Sequence, residues 1–197
     1  MYFEVPNALF TIEAMGIWDL IYEHVSYFTE ASLQTVFRQA GFSATEVGAC
    51  YGNQFLSIEA HRAGCGPVAG GDRVPWDTQL TESVRGFRSR MGHKLDQWHA
   101  RLDGYRRRGE RAVVWGAGSK GISFVNFLGA GDEVAALIDL NPHKTGKFVP
   151  GTGHRVSSPS DLQQLKPDHI VVMNEIYASE IERMVSAQGL APSIEIA

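Results

Sequence analysis

Two groups of residues in this 197-residue chain have the types and spacing to do chemistry. The first is Gly116, Gly118 and Gly121, a G-x-G-x-x-G triplet set between an apolar run, Ala112 to Trp115, and a helical pattern carrying Ile122, Phe124, Val125 and Leu128. A second apolar run, Val134 to Ile138, ends in Asp139. Strand, glycine turn, helix, strand and terminal acid within ~30 residues is the order that places a phosphate on a helix N-terminus and a ribose hydroxyl on the acid. In that order Gly116 permits the tight turn, Gly118 lets a phosphate approach the backbone, and Gly121 lets helix and strand pack closely. The helix start then offers free N–H groups to an anion. A scaffold of the same shape that binds no cofactor would carry the same residues.

The second group is the adjacent pair Glu23-His24 with Tyr22 before it and Tyr27 after it, inside the aromatic stretch Ile17 to Phe28. Histidine titrates near neutral pH, so His24 could serve as a general base with an acidic neighbour to orient it. An aromatic core segment with one hydrogen-bonded histidine is the plainer reading of the same residues taken alone. His61 and Cys65 fall short of the three or four ligands that a metal needs, and no metal site is expected.

These groups need elements to hold them. Tyr2 to Val5 is predicted as a strand running into Pro6-Asn7, and a strand so early suggests a preceding segment. Thr29 is a helix N-cap, Leu33, Val36, Phe37 and Ala40 share one face, and Gly41 is the stop. Phe42 to Ala60 is predicted as a hairpin turning at Gly52-Asn53. Ala63 to Pro75, rich in glycine and proline, is an irregular linker and a boundary. From Asp77 to Arg108, Leu80, Val84, Phe87, Met91, Leu95, Trp98, Leu102 and Tyr105 alternate by three and four, predicting one long amphipathic helix that could also serve dimerisation. Farther on come a loop from Asn141 to Gly153, a helix start at Ser158-Pro159-x-Asp161, an apolar strand from His169 to Asn174, a helix from Ala178 to Ala187 with Gly189 as its stop, and a last strand from Ser193 to Ile196. The fold class is therefore α/β, with a small doubly wound parallel sheet of Rossmann-like type at the C-terminus, preceded by a long helix and a partial α/β segment. The expected divisions are 1–62, 63–108 and 109–197.

Bulk properties exclude other classes. The formal net charge of -4 and pI near 6.0 argue against an electrostatic grip on nucleic acid or anionic membranes. No apolar run approaches the ~18 residues that span a bilayer, so a cytoplasmic protein is the expectation. Two cysteines, Cys50 and Cys65, read as free thiols.

Three blocks carry a resemblance. FEVPN at Phe3 to Asn7, W-D-x-x-Y-E-H-x-S-Y-F at Trp18 to Phe28, and VVWGAGSKGISFVNFL with NPHKTGKFVPGTGH and VVMN in the C-terminal half resemble the sugar C-methyltransferases that use S-adenosylmethionine and act on nucleotide-linked deoxysugars. The resemblance implies that His24 removes the proton beside a keto carbon, with Glu23 and Tyr22 orienting it and helping to hold the enolate. It also implies a substrate- and nucleotide-binding set of Gly116, Gly118, Ser119, Lys120, Gly121, Asp139, Lys147 and Asn174. The donor, S-adenosylmethionine, would be bound mainly by a region absent from this chain, on an upstream methyltransferase domain or a partner chain. A non-catalytic nucleotide-sugar binding module and, less favoured, a nicotinamide-dependent oxidoreductase are the competing readings.

Overall fold

The computed structural model describes residues 1–64 and 78–197. Cys65, most of the glycine- and proline-rich linker and the Asp77 start of the long helix lie outside the described residues. The chain divides into two compact units, Met1–Met91 and Gly92–Ala197, and the division falls within the long helix.

The N-terminal unit contains β1 (Tyr2–Pro6), α1 (Ala8–Ile12), a 3-10 turn at Ile17–Asp19, α2 (Glu30–Gln39), β2 (Phe42–Cys50) and β3 (Phe55–Arg62). Its sheet is antiparallel with order β1-β3-β2. Thr29 caps α2 as expected, and Thr29 and Ser32 satisfy each other's backbone N–H groups. Leu33 from α2 packs with Leu56 and Ile58 from β3, and Val5, Phe28, Phe37 and Val47 close around them. Val36, expected on that buried face, is 45% exposed. A single helix lying on a three-stranded sheet covers only a narrow stripe.

Helix α3 (Thr78–Arg108) leads into the C-terminal unit, which continues with β4 (Ala112–Trp115), α4 (Ser119–Phe127), β5 (Val134–Ile138), β6 (Val156–Ser157), α5 (Leu162–Leu165), β7 (His169–Val172), α6 (Ala178–Ser186) and β8 (Ser193–Ile196). All four strand pairings are parallel, in the order β6-β5-β4-β7-β8. The apolar runs of β4 and β7 form the centre of the sheet because a parallel sheet covered by helices is apolar on both faces. Val113, Trp115, Ile138, Leu162, Ile170, Val172, Ile181 and Val185 make one continuous core. The chain leaves β6 at one edge and returns beside β4 on the other side, so the strand order reverses between β4 and β7. Ligands of open α/β sheets bind at that position, outside the carboxyl ends of the strands.

Of the expected apolar stripe of α3, Trp98, Leu102 and Tyr105 are buried, whereas Val84 is 52% exposed. The second half of the helix belongs to the α/β unit. Trp98 meets the ring of Phe124 edge-on at 5.1 Å, and Arg101 lies over Trp98 while pairing with Glu195 at 2.8 Å. One turn later Tyr105 stacks on His169 with centroids 3.7 Å apart and donates its hydroxyl to Glu195. His169 reaches Glu110 at 2.9 Å. Arg108, and after it His169, hold the Glu110 carboxyl down at about 2.

Phe124 is fully buried, and truncating a buried phenylalanine removes transfer free energy and leaves a cavity. Phe124→Ala should lower the unfolding free energy by about 3–5 kcal/mol, measured by chemical denaturation.

Candidate functional site

The glycine turn is built as the spacing requires. Gly116 follows β4 with φ of 115°, a left-handed value that only glycine adopts without strain, and its N–H bonds to Ile138 O at 2.7 Å. At Gly121 a Cβ would stand 1.9 Å from the carbonyl oxygen of Gly116, so helix α4 could not start where it does with any other residue. Gly118 is extended, and a Cβ there would meet no heavy atom within 4 Å. Its missing side chain leaves open space rather than relieving a clash.

Asp139, at the carboxyl end of β5, ties this turn to the next loop. Its carboxylate accepts the Ala117 N–H at 2.9 Å, the Asn141 N–H at 2.8 Å and the Lys144 ammonium at 3.0 Å. Lys144 also donates to the Ala117 carbonyl at 3.0 Å. Burial by itself would raise the Asp139 pKa, but the Asn141 amide, Lys144 and the Ala117 amide outweigh it and hold the carboxyl below its usual range. The sequence expectation gave this acid to a ligand; in the folded unit its two oxygens already serve three donors of the protein. Lys144 went unassigned because nothing in the sequence shows that the Asn141–Gly153 loop folds back on the turn.

Beside the turn, at the reversal between β4 and β7, lies a cavity of ≈ 470 Å³. Trp115, Gly116, Ile138, Asp139 and Leu140 line one side; Val172, Met173 and Asn174 at the end of β7 and Tyr177, Glu180, Ile181 and Met184 from the following segment and α6 line the other. Its walls are mainly apolar, with Asp139, Asn174 and Glu180 as polar groups, the composition of a small-molecule site. Of the expected binding residues, Gly116, Asp139 and Asn174 line this cavity. Gly118, Ser119, Lys120 and Gly121 form the turn and the first turn of α4, while Lys147 is exposed on the loop after β5 and is absent from the lining. Asn174 accepts the Ile176 N–H at 3.2 Å and so caps the turn at Glu175–Tyr177. Met173, Tyr177, Glu180 and Met184 were not foreseen; they converge only because β7 ends beside β4 and α6 crosses above it.

With the cavity at the strand reversal established, known proteins can be set beside this geometry. The family described as C-methyltransferase C-terminal domain matches residues 76–189, more than half of the chain. The chain belongs to this family. No curated protein matches it. Two solved structures share a loose likeness with it: a crystal structure of RSP, a Rex-family repressor, at 13% identity with TM-score 0.35, and RSP in complex with beta-NADH, at 12% identity with TM-score 0.34. Each covers 61% of this chain and 68% of its own. In the C-methyltransferase C-terminal domain of this chain, the glycine turn, Asp139 and the cavity all lie within the matched residues.

The Glu-His block lies in the N-terminal unit, before the matched residues. Asp19 ends a buried 3-10 turn, and the His24 N–H bonds to Ile21 O at 3.1 Å, closing a β-turn whose two corner residues are Tyr22 and Glu23. Corner residues of a turn project outward, and Tyr22 is 95% exposed, with Glu23 exposed beside it. No hydrogen bond or ion pair joins Glu23 to His24 among the described residues. The group in contact is the Asp19 carbonyl, 3.1 Å from His24 Nδ1. The same oxygen accepts the Tyr27 hydroxyl at 2.8 Å, and Tyr27 meets the His24 ring edge-on at 6.1 Å. Among the described residues no group of three His, Cys, Asp or Glu could hold a metal ion, and no helix is long and apolar enough to cross a membrane.

Asp139 has a depressed pKa in the folded state, so it stabilises the fold above its unfolded value of ~3.9, and that contribution is lost as pH falls through the folded value. Asp139→Asn should melt at lower temperature than the wild type at pH 7. The gap should shrink as the pH is lowered below ~4, read by thermal melts across pH.

Proposed function

We propose that this chain is the substrate-side part of an S-adenosylmethionine-dependent methyltransferase that adds a methyl group to carbon on a nucleotide-linked keto-deoxysugar. Membership of the C-methyltransferase C-terminal domain family supports the reaction class. The cavity at the strand reversal, opening beside Gly116 to Gly121, is the observation that carries the substrate reading. The nucleotide lies in this cavity, its phosphates reach the open backbone at Gly118 and the N–H groups of Ser119 and Lys120, and its hydroxyls meet Asn174 and Glu180. Lys147 on the exposed loop adds positive charge for the phosphates.

His24 takes the proton from the carbon beside the ketone. The electron pair of the broken C–H bond moves into the carbonyl, giving an enolate, the nucleophilic carbon to which a bound methyl donor would supply the methyl group. Tyr22, exposed on the turn, supplies its hydroxyl to the enolate oxygen, and Glu23 beside it contributes to the field around the base. S-adenosylmethionine does not fit the described residues: Asp139, the acid placed for ribose hydroxyls, is engaged by Ala117, Asn141 and Lys144. The donor is assigned to an upstream domain or partner chain, and no step is derived through it. The same engagement of Asp139 weighs against the nicotinamide reading, which needs that carboxylate for the cofactor ribose.

Two experiments test the two halves. Gly118→Ala leaves the fold intact, since a Cβ there touches nothing, but fills the space of the phosphate. Its affinity for nucleoside diphosphates, titrated calorimetrically against thymidine, uridine and guanosine forms, should fall about tenfold or more, a loss of ~1.4 kcal/mol, with an unchanged melting temperature. Equal binding by the variant and the wild type would remove the turn from the site. For the base, the proton beside the ketone of a nucleotide-linked 4-keto-deoxysugar should exchange with D2O in the presence of the chain. His24→Ala should slow that exchange by about 10²-fold or more, followed by proton NMR. A folded variant exchanging at the wild-type rate would return the Glu-His block to a structural role.

A further inference from the structure

The surroundings of His24 specify which of its two ring nitrogens is the base, a question the sequence cannot address. A carbonyl oxygen has lone pairs and no hydrogen, so every polar group within hydrogen-bond distance of it must donate. Three groups converge on the Asp19 carbonyl: the Ile21 N–H at 3.0 Å, the Tyr27 hydroxyl at 2.8 Å and His24 Nδ1 at 3.1 Å. A neutral imidazole carries one N–H. With that hydrogen on Nδ1, the free lone pair is on Nε2, and among the described residues His24 has no second polar side-chain contact.

The carbonyl is itself well placed for this task. Asp19 is buried at the end of its 3-10 turn, and its N–H bonds to Gly16 O at 3.2 Å. Burial pushes the Tyr27 phenol up and outweighs the Ile21 backbone hydrogen bond that lowers it, with a lesser upward push from the Asp19 carboxylate. The phenol therefore keeps its hydrogen and remains a donor. Its ring stands edge-on to the imidazole, at 79° with centroids 6.1 Å apart.

We propose that the Asp19 carbonyl, aligned by the Tyr27 hydroxyl, fixes His24 in the Nδ1–H tautomer, which makes Nε2 the proton-accepting atom and Tyr27 a positioning residue. A backbone carbonyl performs the orienting task that sequence adjacency assigned to Glu23. The inference rests on the reading of His24 as the base, but its test does not. Long-range proton–nitrogen correlation spectra of the 197-residue chain labelled with ¹⁵N-histidine report the tautomer directly, and the His24 signals are those missing from His24→Gln.

The expected spectrum at neutral pH has a pyrrole-type shift at Nδ1 and a pyridine-type shift at Nε2. Tyr27→Phe keeps the ring and removes only the hydroxyl, and it should move both shifts toward the average of the two tautomers. A wild-type spectrum with the hydrogen on Nε2 overturns the proposal, and it does so without any variant having to fold beyond the one used for assignment. Shifts unchanged in Tyr27→Phe overturn the role given to Tyr27. The hydrogen on Nε2 in a chain whose exchange activity requires His24 defeats this inference alone. Conversely, the hydrogen on Nδ1 in a chain whose exchange ignores His24 defeats the functional reading alone.

Discussion

The C-terminal unit depends on one close approach, that of the α4 backbone to the turn after β4. Because residue 121 has no Cβ, the first turn of α4 can pass directly over the Gly116 carbonyl, where a methyl group would stand 1.9 Å away. This contact sets the height of the helix above the sheet. It also aims the helix N-terminus at the carboxyl ends of the strands and leaves Gly118 facing open space. A side chain at 121 would tilt α4 and move the Phe124 ring, which fills the interior next to Trp98. Position in the turn and packing in the core are thus one constraint.

Asp139 provides a second layer of the same constraint. It sits where an acid that reads a ribose would sit, and it spends its oxygens on the glycine turn and on Lys144 instead. A half-buried carboxylate is costly unless donors surround it, and three protein donors meet that requirement here without a ligand. The result is a rigid floor beside the cavity. The facing wall, from β7 and α6, carries Asn174, Tyr177 and Glu180.

The N-terminal unit achieves a similar economy with backbone atoms. Its antiparallel sheet and capped helix make a small core around Leu33, Leu56 and Ile58, and the loop between α1 and α2 carries the histidine. One buried carbonyl gathers Ile21, Tyr27 and His24, while the Ile21 to His24 turn throws Tyr22 and Glu23 into solvent. Half-burial of His24 against a fixed acceptor differs from the environment of a core histidine, which would have both nitrogens enclosed by the protein.

Local signals determined much of this molecule. The strands Ala112–Trp115, Val134–Ile138 and Ser193–Ile196 were legible to the residue, the first two as apolar runs bounded by charge or glycine and the last as a short alternating segment after Pro192. So were the glycine turn, the Thr29 cap and the hairpin, each of which is decided by residues within a few positions of one another. Tertiary structure alone decided which way side chains turn and what they meet. The stripe along α3 is periodic throughout, yet burial differs along it, since periodicity records capacity for packing and not the presence of a partner surface. Glu23 and His24 are adjacent in sequence, yet Glu23 is an exposed corner of a β-turn and the polar contact of His24 is the Asp19 carbonyl. Asp139 and Lys144, five residues apart, meet through a loop whose path depends on the parallel pairing of β5 with β6. Met173, Tyr177 and Glu180 reach the cavity only because the strand order reverses beside β4, a long-range choice that no local pattern encodes.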